Sequence, residues 1–280
     1  MYAARIENLE KHYFLGGETV RALDGVTFNV PEGDYVAIMG PSGSGKSTLI
    51  RSITRLIEPT SGTVHIGGVD VTGADDAGLL EIRRHKVSMV FQHFGLFPHR
   101  KVIDNVAYGL EMRGVGKRER HDRAAPFIEM IGLSRFRDHY PSQLSGGMRQ
   151  RVSLARAFVA DPEILLMDEP FAALDAQNKL IMQDELLRIW EGTQKTVLFI
   201  THAIDEAISL GDRIVVMTAQ PGRIKEIIDV PFPHPRDLMQ LSASAEFGAL
   251  KLAIWRVLED EVTRARAEME TLARRRRSGS

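Results

Sequence analysis

The sequence predicts an α/β fold, and three observations carry that prediction. Tyr35–Met39 is a compact apolar run, broken by the glycine-rich stretch 40–45 and followed by helix-favouring residues 46–57, which reads as strand, turn, helix. Short apolar runs recur at 87–91, 164–167, 196–200 and 213–217, with helical spacing at 179–191 and 204–210. Strands alternating with helices argue for a largely parallel sheet. Between them, residues 105–112, 120–131 and 148–159 all have helical spacing, so a helical block is set into the α/β frame.

The remaining elements follow from local signals. Residues 5–9 and 26–30 read as short strands, each followed by a turn, and Pro31-Glu-Gly-Asp34 is itself a turn. Pro59-Thr-Ser-Gly62 ends the first helix, and residues 63–66 before Gly67-Gly68 form a hairpin strand. Residues 224–230 read as the last strand. After Pro231-Phe-Pro-His-Pro235 strand signals stop, and residues 246–277 form one long helix ending in four arginines, 274–277. Those arginines read as a solvated helix end favoured by the macrodipole.

Composition narrows the classes. The chain has 280 residues, enough for one large or two smaller domains. Its 36 basic and 37 acidic residues leave a net charge of −1, without a global pull toward nucleic acid or anionic lipid. It has no cysteine, which excludes disulfides and cysteine-held metals. Its apolar runs fall far short of the roughly 20 residues that span a bilayer, and no signal pattern opens the chain. A soluble, cytoplasmic protein is expected, with any membrane role supplied by a partner.

The chemistry concentrates in two glycine turns. Gly40-Pro-Ser-Gly-Ser-Gly-Lys-Ser47 follows a strand and opens a helix, the arrangement a P-loop requires. Glycines let successive N–H groups face phosphate oxygens, and the helix dipole adds to them. Lys46 is expected to reach the β- and γ-phosphates, and the Ser47 hydroxyl to ligate Mg²⁺. The bare pattern arises by chance in roughly one chain of this length in a hundred. Downstream, Ile164-Leu-Leu-Met-Asp168-Glu169 is an apolar strand ending in two carboxylates. Asp168 suits Mg²⁺, and Glu169 suits orienting or deprotonating a water. His202 and Gln92 also follow strand-like runs, where ligands bind in open α/β sheets. The second turn, Leu144-Ser-Gly-Gly-Met-Arg-Gln-Arg151, precedes a strong helix. By itself it is an ordinary Ser–Gly cap with an anion-binding helix start.

Taken in order, these residues resemble the nucleotide-binding subunit of ATP-binding-cassette (ABC) transporters over about residues 3–235. The resemblance rests on the P-loop, the Gln92 loop, the stretch 144–151, the Asp168-Glu169 pair, the Ala173-Leu-Asp175 loop and His202. It implies a P-loop NTPase (RecA-like) core with an antiparallel β-subdomain, an inserted helical subdomain at about 93–160 and a C-terminal helical extension at 236–280. It implies ATP and Mg²⁺ as cofactors, with Ser47, Gln92 and Asp168 toward the metal. It implies a head-to-tail dimer in which each ATP lies between one subunit's P-loop and the other's signature turn. Nucleotide contacts would then come from Tyr13 on adenine, from Gly40, Ser42, Gly43, Ser44, Gly45, Lys46, Ser47 and Thr48, from Ser145, Gly146 and Gly147 toward the second copy, and from Asp175. Glu169 matches the general base, His202 the switch residue, and the region 92–98 the surface that receives a membrane subunit. Met148 and Ala172 depart from the commonest pattern, removing a polar contact and a hydroxyl.

One P-loop means one cassette, and Gln92 and Leu144 lie only 52 positions apart. That leaves no room for the long insertions of DNA-repair cassettes. The resemblance therefore implies an importer ATPase at the cytoplasmic face of the membrane, bound peripherally to permease subunits and indirectly to a solute-binding protein, with no nucleic acid partner. Two signals bear on cargo. Gln220-Pro-Gly-Arg-Ile224 and Val230-Pro-Phe-Pro-His-Pro-Arg236 resemble nitrate/sulfonate/taurine importers. Ile82-Arg-Arg84 and Met89-Val-Phe-Gln-His-Phe-Gly-Leu-Phe-Pro98 resemble glycine betaine/proline importers. The first reading is preferred, with the second as its alternative. A rival of another class is a nucleic-acid-coupled ATPase using the arginine tail.

Overall fold

Two long strands open the chain where two short ones were expected. β1 (Tyr2–Leu15) and β2 (Glu18–Pro31) pair antiparallel across Gly16-Gly17, whose φ angles of 58° and 86° permit a tight reversal. Register shifts along β1, such as that between Ile6 and Leu9, break the apolar alternation on which strand reading depends. The other strands are β3 (Tyr35–Met39), β4 (Ser61–Ile66), β5 (Val69–Asp70), β6 (Val87–Val90), β7 (Ile164–Asp168), β8 (Thr196–Ile200), β9 (Arg213–Met217) and β10 (Ile224–Asp229).

The structure, a computed structural model, describes residues 1–92, 94–172 and 174–278, without the side chains of residues 15 and 268–278. Ala173 of the 173–175 loop and the side chains of arginines 274–277 thus lie outside the described residues. The chain divides into two units, residues 2–73 with 200–280, and residues 74–199 with Met1.

In the first unit, β2-β1-β4-β5 form an antiparallel sheet. Ile6, Leu9, Val26, Val30, Val64 and Ile66 are buried within it. A second set of strands runs β10-β9-β3, with β3 and β9 parallel and β9 and β10 antiparallel. All five residues of β3 are buried, as expected of a strand covered on both faces. β3 feeds the glycine turn and then the helix Lys46–Ile53. That helix stops short of the expected residue 57. Thr54 leaves helical geometry, and Arg55 turns left-handed at φ 51°.

Prolines and charges close this unit. Arg236, with a side chain only 2% exposed, donates to the carbonyls of Ile208, Ser209, Gly211 and Phe232. It thereby satisfies the C-terminal carbonyls of the helix Ile204–Leu210. Asp212 sits beside it, accepting the Tyr35 N–H at 2.8 Å and meeting His234 at 3.1 Å. Burial pushes the Asp212 carboxyl up, but these hydrogen bonds and the neighbouring charges outweigh it and hold the group below the usual range. The C-terminal helix Ala245–Ser278 packs on the helix Ile204–Leu210 through buried Phe247, Ile254 and Leu258.

The second unit carries β8-β7-β6, with β6 and β7 parallel. A helix at Asp76–His85 was not anticipated; Asp75 caps it by accepting the Gly78 N–H at 2.8 Å. The expected helix at 105–112 is two short ones, Val102–Val106 and Tyr108–Met112, broken at Ala107. With Lys117–Met130 and Gly146–Val159 they enclose a core that includes Val106, Leu110, Ile128, Val152 and Val159. Among the described residues no helix is long and apolar enough to cross a membrane.

Candidate functional site

The first glycine turn is built to stay open at one side and closed at the other. Gly43 (φ 82°) and Gly45 (φ 87°) hold left-handed backbone that a side chain resists. A Cβ on Gly45 would lie 2.6 Å from the Ala22 carbonyl oxygen, whereas one on Gly43 would meet nothing within 4 Å. The turn therefore backs onto β2 and faces outward at Ser42 and Gly43, both exposed. Lys46 is 5% exposed. Its ammonium donates to the carbonyls of Gly40 at 2.9 Å and Pro41 at 2.8 Å, and lies 3.3 Å from the Ser44 hydroxyl. A buried ammonium needs such acceptors. Hydroxyls of Ser47 and Thr48 follow on the first helical turn. A lysine, hydroxyls, loop N–H groups and a helix N-terminus form a donor set suited to a polyphosphate.

His202 joins this loop from the same unit. Thr201 donates its N–H to the Ile38 carbonyl at 3.2 Å, so His202 emerges at the carboxyl end of β3. The Thr201 hydroxyl donates to Glu206 and accepts the Ala203 N–H, fixing the turn. His202, Gly40, Pro41 and Ser42 line one cavity. Tyr13 lies on β1, half-buried, with the Lys11 ammonium 5.1 Å from its ring centroid.

One wall of the loop escaped the sequence reading as a site element. Gly222 donates to the Ala22 carbonyl at 3.1 Å, and a Cβ there would fall 2.1 Å from the Ser44 carbonyl oxygen and 3.0 Å from that of Ala22. No side chain fits. Gly222→Ala is expected to displace the loop and weaken nucleotide binding roughly tenfold or more, the cost of overpacking being about 1–3 kcal/mol. Titration calorimetry with ADP checks this, and unchanged affinity would show that the contact yields without moving the loop.

In the second unit, Asp168 ends β7 fully buried. Glu169 follows at φ 51°, an uncommon backbone state for a residue with a side chain and one that clusters at functional sites. The Gln92 amide donates to Glu169 Oε2 at 3.1 Å, so two of the expected residues meet directly. Asp175 caps the helix Ala176–Thr193, and the Asn178 backbone and side-chain donors hold its carboxyl below the usual range. Leu174 next to it would meet a Cβ on Gly147 at 3.4 Å.

Ser145 caps the helix Gly146–Val159, its hydroxyl accepting the Met148 N–H at 3.3 Å. A Cβ on Gly146 would meet nothing within 4 Å, so this turn faces outward. Met148 packs against the helical core, and Ala172 is exposed. Arg156, lower on the same helix, donates to the carbonyls of Phe94 at 3.0 Å and Gly95 at 2.7 Å. The Arg149 guanidinium lies 5.4 Å from the Phe94 ring centroid. The loop after Gln92 is thereby tied to the helix that follows Ser145, a link no motif signals. Among the described residues no three His, Asp or Glu side chains cluster as a metal cage.

A P-loop at a strand end, a strand ending in Asp-Glu and a capped Ser-Gly-Gly helix start define an ATP-hydrolysing cassette. The chain belongs to the ABC transporter family, whose model matches residues 23–172, and it is an ATP-hydrolysing subunit of that family. It is 48% identical over 262 residues to an uncharacterized ABC transporter ATP-binding protein of Methanocaldococcus jannaschii, covering 93% of each chain. It is 52% identical over 211 residues to the Bacillus subtilis glycine betaine transport ATP-binding protein OpuAA, covering 75% of this chain and 50% of that one. With ProV of the Escherichia coli glycine betaine/proline betaine transport system it shares 49% over 206 residues, covering 72% of this chain and 52% of ProV. The chain thus spans about half the length of these betaine relatives. Among solved structures, the dimeric cassette MJ0796 bound to ADP and Pi superimposes with a TM-score of 0.75 at 38% identity, covering 82% of this chain and all of that one.

Proposed function

We propose that the chain energises an importer for a quaternary-ammonium solute of the glycine betaine class, as one of two copies bound to permease subunits at the cytoplasmic membrane face. Named relatives favour this cargo over the nitrate/sulfonate/taurine class that the sequence motifs preferred. The motifs behind that preference also have local structural work. Gly222 walls the P-loop, and Arg236 closes the helix Ile204–Leu210. They therefore speak to folding rather than to a solute.

The observation that carries the ATPase reading is the pair of outward-facing turns at Gly43 and Gly146 on one chain. We assign the stretch from Gly40 to Thr48 to the phosphates, Tyr13 to the adenine ring, and Ser145, Gly146 and Gly147 to the nucleotide of the second copy. Ser47, Gln92 and Asp168 are the oxygen donors assigned to Mg²⁺, which when bound neutralises phosphate charge. Glu169, held by Gln92, accepts a proton at its carboxylate from the attacking water. His202 orients toward the terminal phosphate. Phosphate contacts at these groups bias a two-state closure of the paired copies, and the 92–98 loop, tied to the signature helix through Arg156, passes the movement to the permease.

Co-expression with the permease and binding protein of the same assembly tests the cargo. ATPase activity of the reconstituted complex is expected to rise several-fold with glycine betaine and to stay flat with taurine, sulfonates or nitrate. Stimulation by taurine instead would restore the other class. Stimulation by DNA or RNA would replace the importer reading altogether.

A further inference from the structure

The C-terminal helix brings a second cation to the nucleotide loop. Its rotation is fixed by anchors within its own unit. Ile254 and Leu258 are buried. The Glu261 carboxylate, 4% exposed, pairs with Lys225 at 2.9 Å and accepts the Ala219 N–H at 2.8 Å. Lys225 also donates to the Val257 carbonyl at 2.9 Å, and Lys251 pairs with Asp205 at 2.7 Å.

At about 100° per residue, these anchors leave Trp255, Leu258, Val262, Ala265 and Arg266 on one stripe. That stripe lines a cavity of about 290 Å³ whose other wall includes Gly40, Pro41, Ser42 and His202. Lys46 places its ammonium on the Gly40 and Pro41 carbonyls, so this is the end of the loop where a P-loop lysine meets the outer phosphates. Arg266 is exposed there, and among the described residues no carboxylate pairs with it. A guanidinium and an imidazole converging on a phosphate loop suit an anion, since guanidinium binds phosphate oxygens in a fork.

We propose that Arg266 contacts the terminal phosphate of bound ATP, so that the C-terminal helix distinguishes ATP from ADP. This rests on the reading of the stretch from Gly40 to Thr48 as the nucleotide cradle. The test titrates the full-length protein with Mg²⁺-ADP and Mg²⁺-ATPγS by calorimetry. Arg266→Ala is expected to weaken ATPγS about tenfold, as for a lost charge-assisted contact, and to leave ADP within about twofold. Arg266→Lys should recover part of the loss. A chain ending at Val262, which keeps the Glu261 anchor, should behave like Arg266→Ala. Equal weakening of both nucleotides, no change in either, or tighter ATPγS binding overturns the proposal. The last result would make the helix a competitor for the site. If the wild-type chain binds neither nucleotide, the cradle reading itself fails and the proposal falls with it.

Discussion

Glu169→Gln is expected to lower ATP turnover by roughly 10²–10⁴-fold, the range a general base contributes, while leaving ATP bound. The substitution is nearly isosteric. The glutamine carbonyl can still accept the Gln92 amide that now donates at 3.1 Å, so the turn after β7 keeps its geometry. What disappears is the carboxylate able to take a proton. Trapped ATP should then hold two copies together, seen as a dimer by size-exclusion chromatography with light scattering. Phosphate release within a few-fold of wild type would remove Glu169 from the base role. The same variant probes whether sites are shared between copies. Ser145→Arg places a bulky cation at the outward turn before Gly146, where a Cβ has open space. Mixed dimers of Glu169→Gln with the Glu169→Gln/Ser145→Arg double variant, in which both sites lack the base and one lacks its partner's turn, should lose one of the two trapped nucleotides. Two retained per dimer would mean that each copy binds ATP without its partner's turn.

Lys46→Ala should cost the most in nucleotide affinity. Its ammonium is buried and bridges the Gly40 and Pro41 carbonyls. Removal therefore deletes the cation assigned to the phosphates and takes the lysine donor from the Gly40 and Pro41 carbonyls, of which Pro41 keeps the Ser44 N–H at 3.2 Å. Charge-assisted hydrogen bonds are worth about 1.5–3 kcal/mol each, so a loss of about 100-fold in ATP affinity is expected. Calorimetric titration measures it. Circular dichroism should report an unchanged fold, because the helix Lys46–Ile53 keeps buried Leu49, Ile50 and Ile53 as its packing face. Unchanged ATP affinity would show that the glycine turn binds phosphate without its lysine.

The P-loop was legible because its function dictates its covalent sequence. Glycines at 43 and 45 adopt the left-handed backbone that favours their type, and the lysine follows at a fixed offset. β3, β7, β8 and β9 were legible for a related reason: each is a short, nearly unbroken apolar run, as strands buried on both faces must be. β1 and β2 were read far too short. Half-exposed strands with register shifts carry polar residues wherever one face meets water. The break at Ala107 and the cap at Asp75 also lay below the reach of periodicity.

By itself, then, the sequence determined the α/β class, the glycine-turn and Asp-Glu motifs and the order in which they come, because each depends on local chemistry within a few residues. Only the tertiary structure decided which distant residues serve them. Gly222 walls Ser44 across 178 positions, Arg156 clasps Gly95 across 61, and Arg266 reaches the cavity at Gly40 from the far end of the chain. The first two partners are chosen by close packing and by the need of buried carbonyls for donors. Neither leaves a spacing in the sequence.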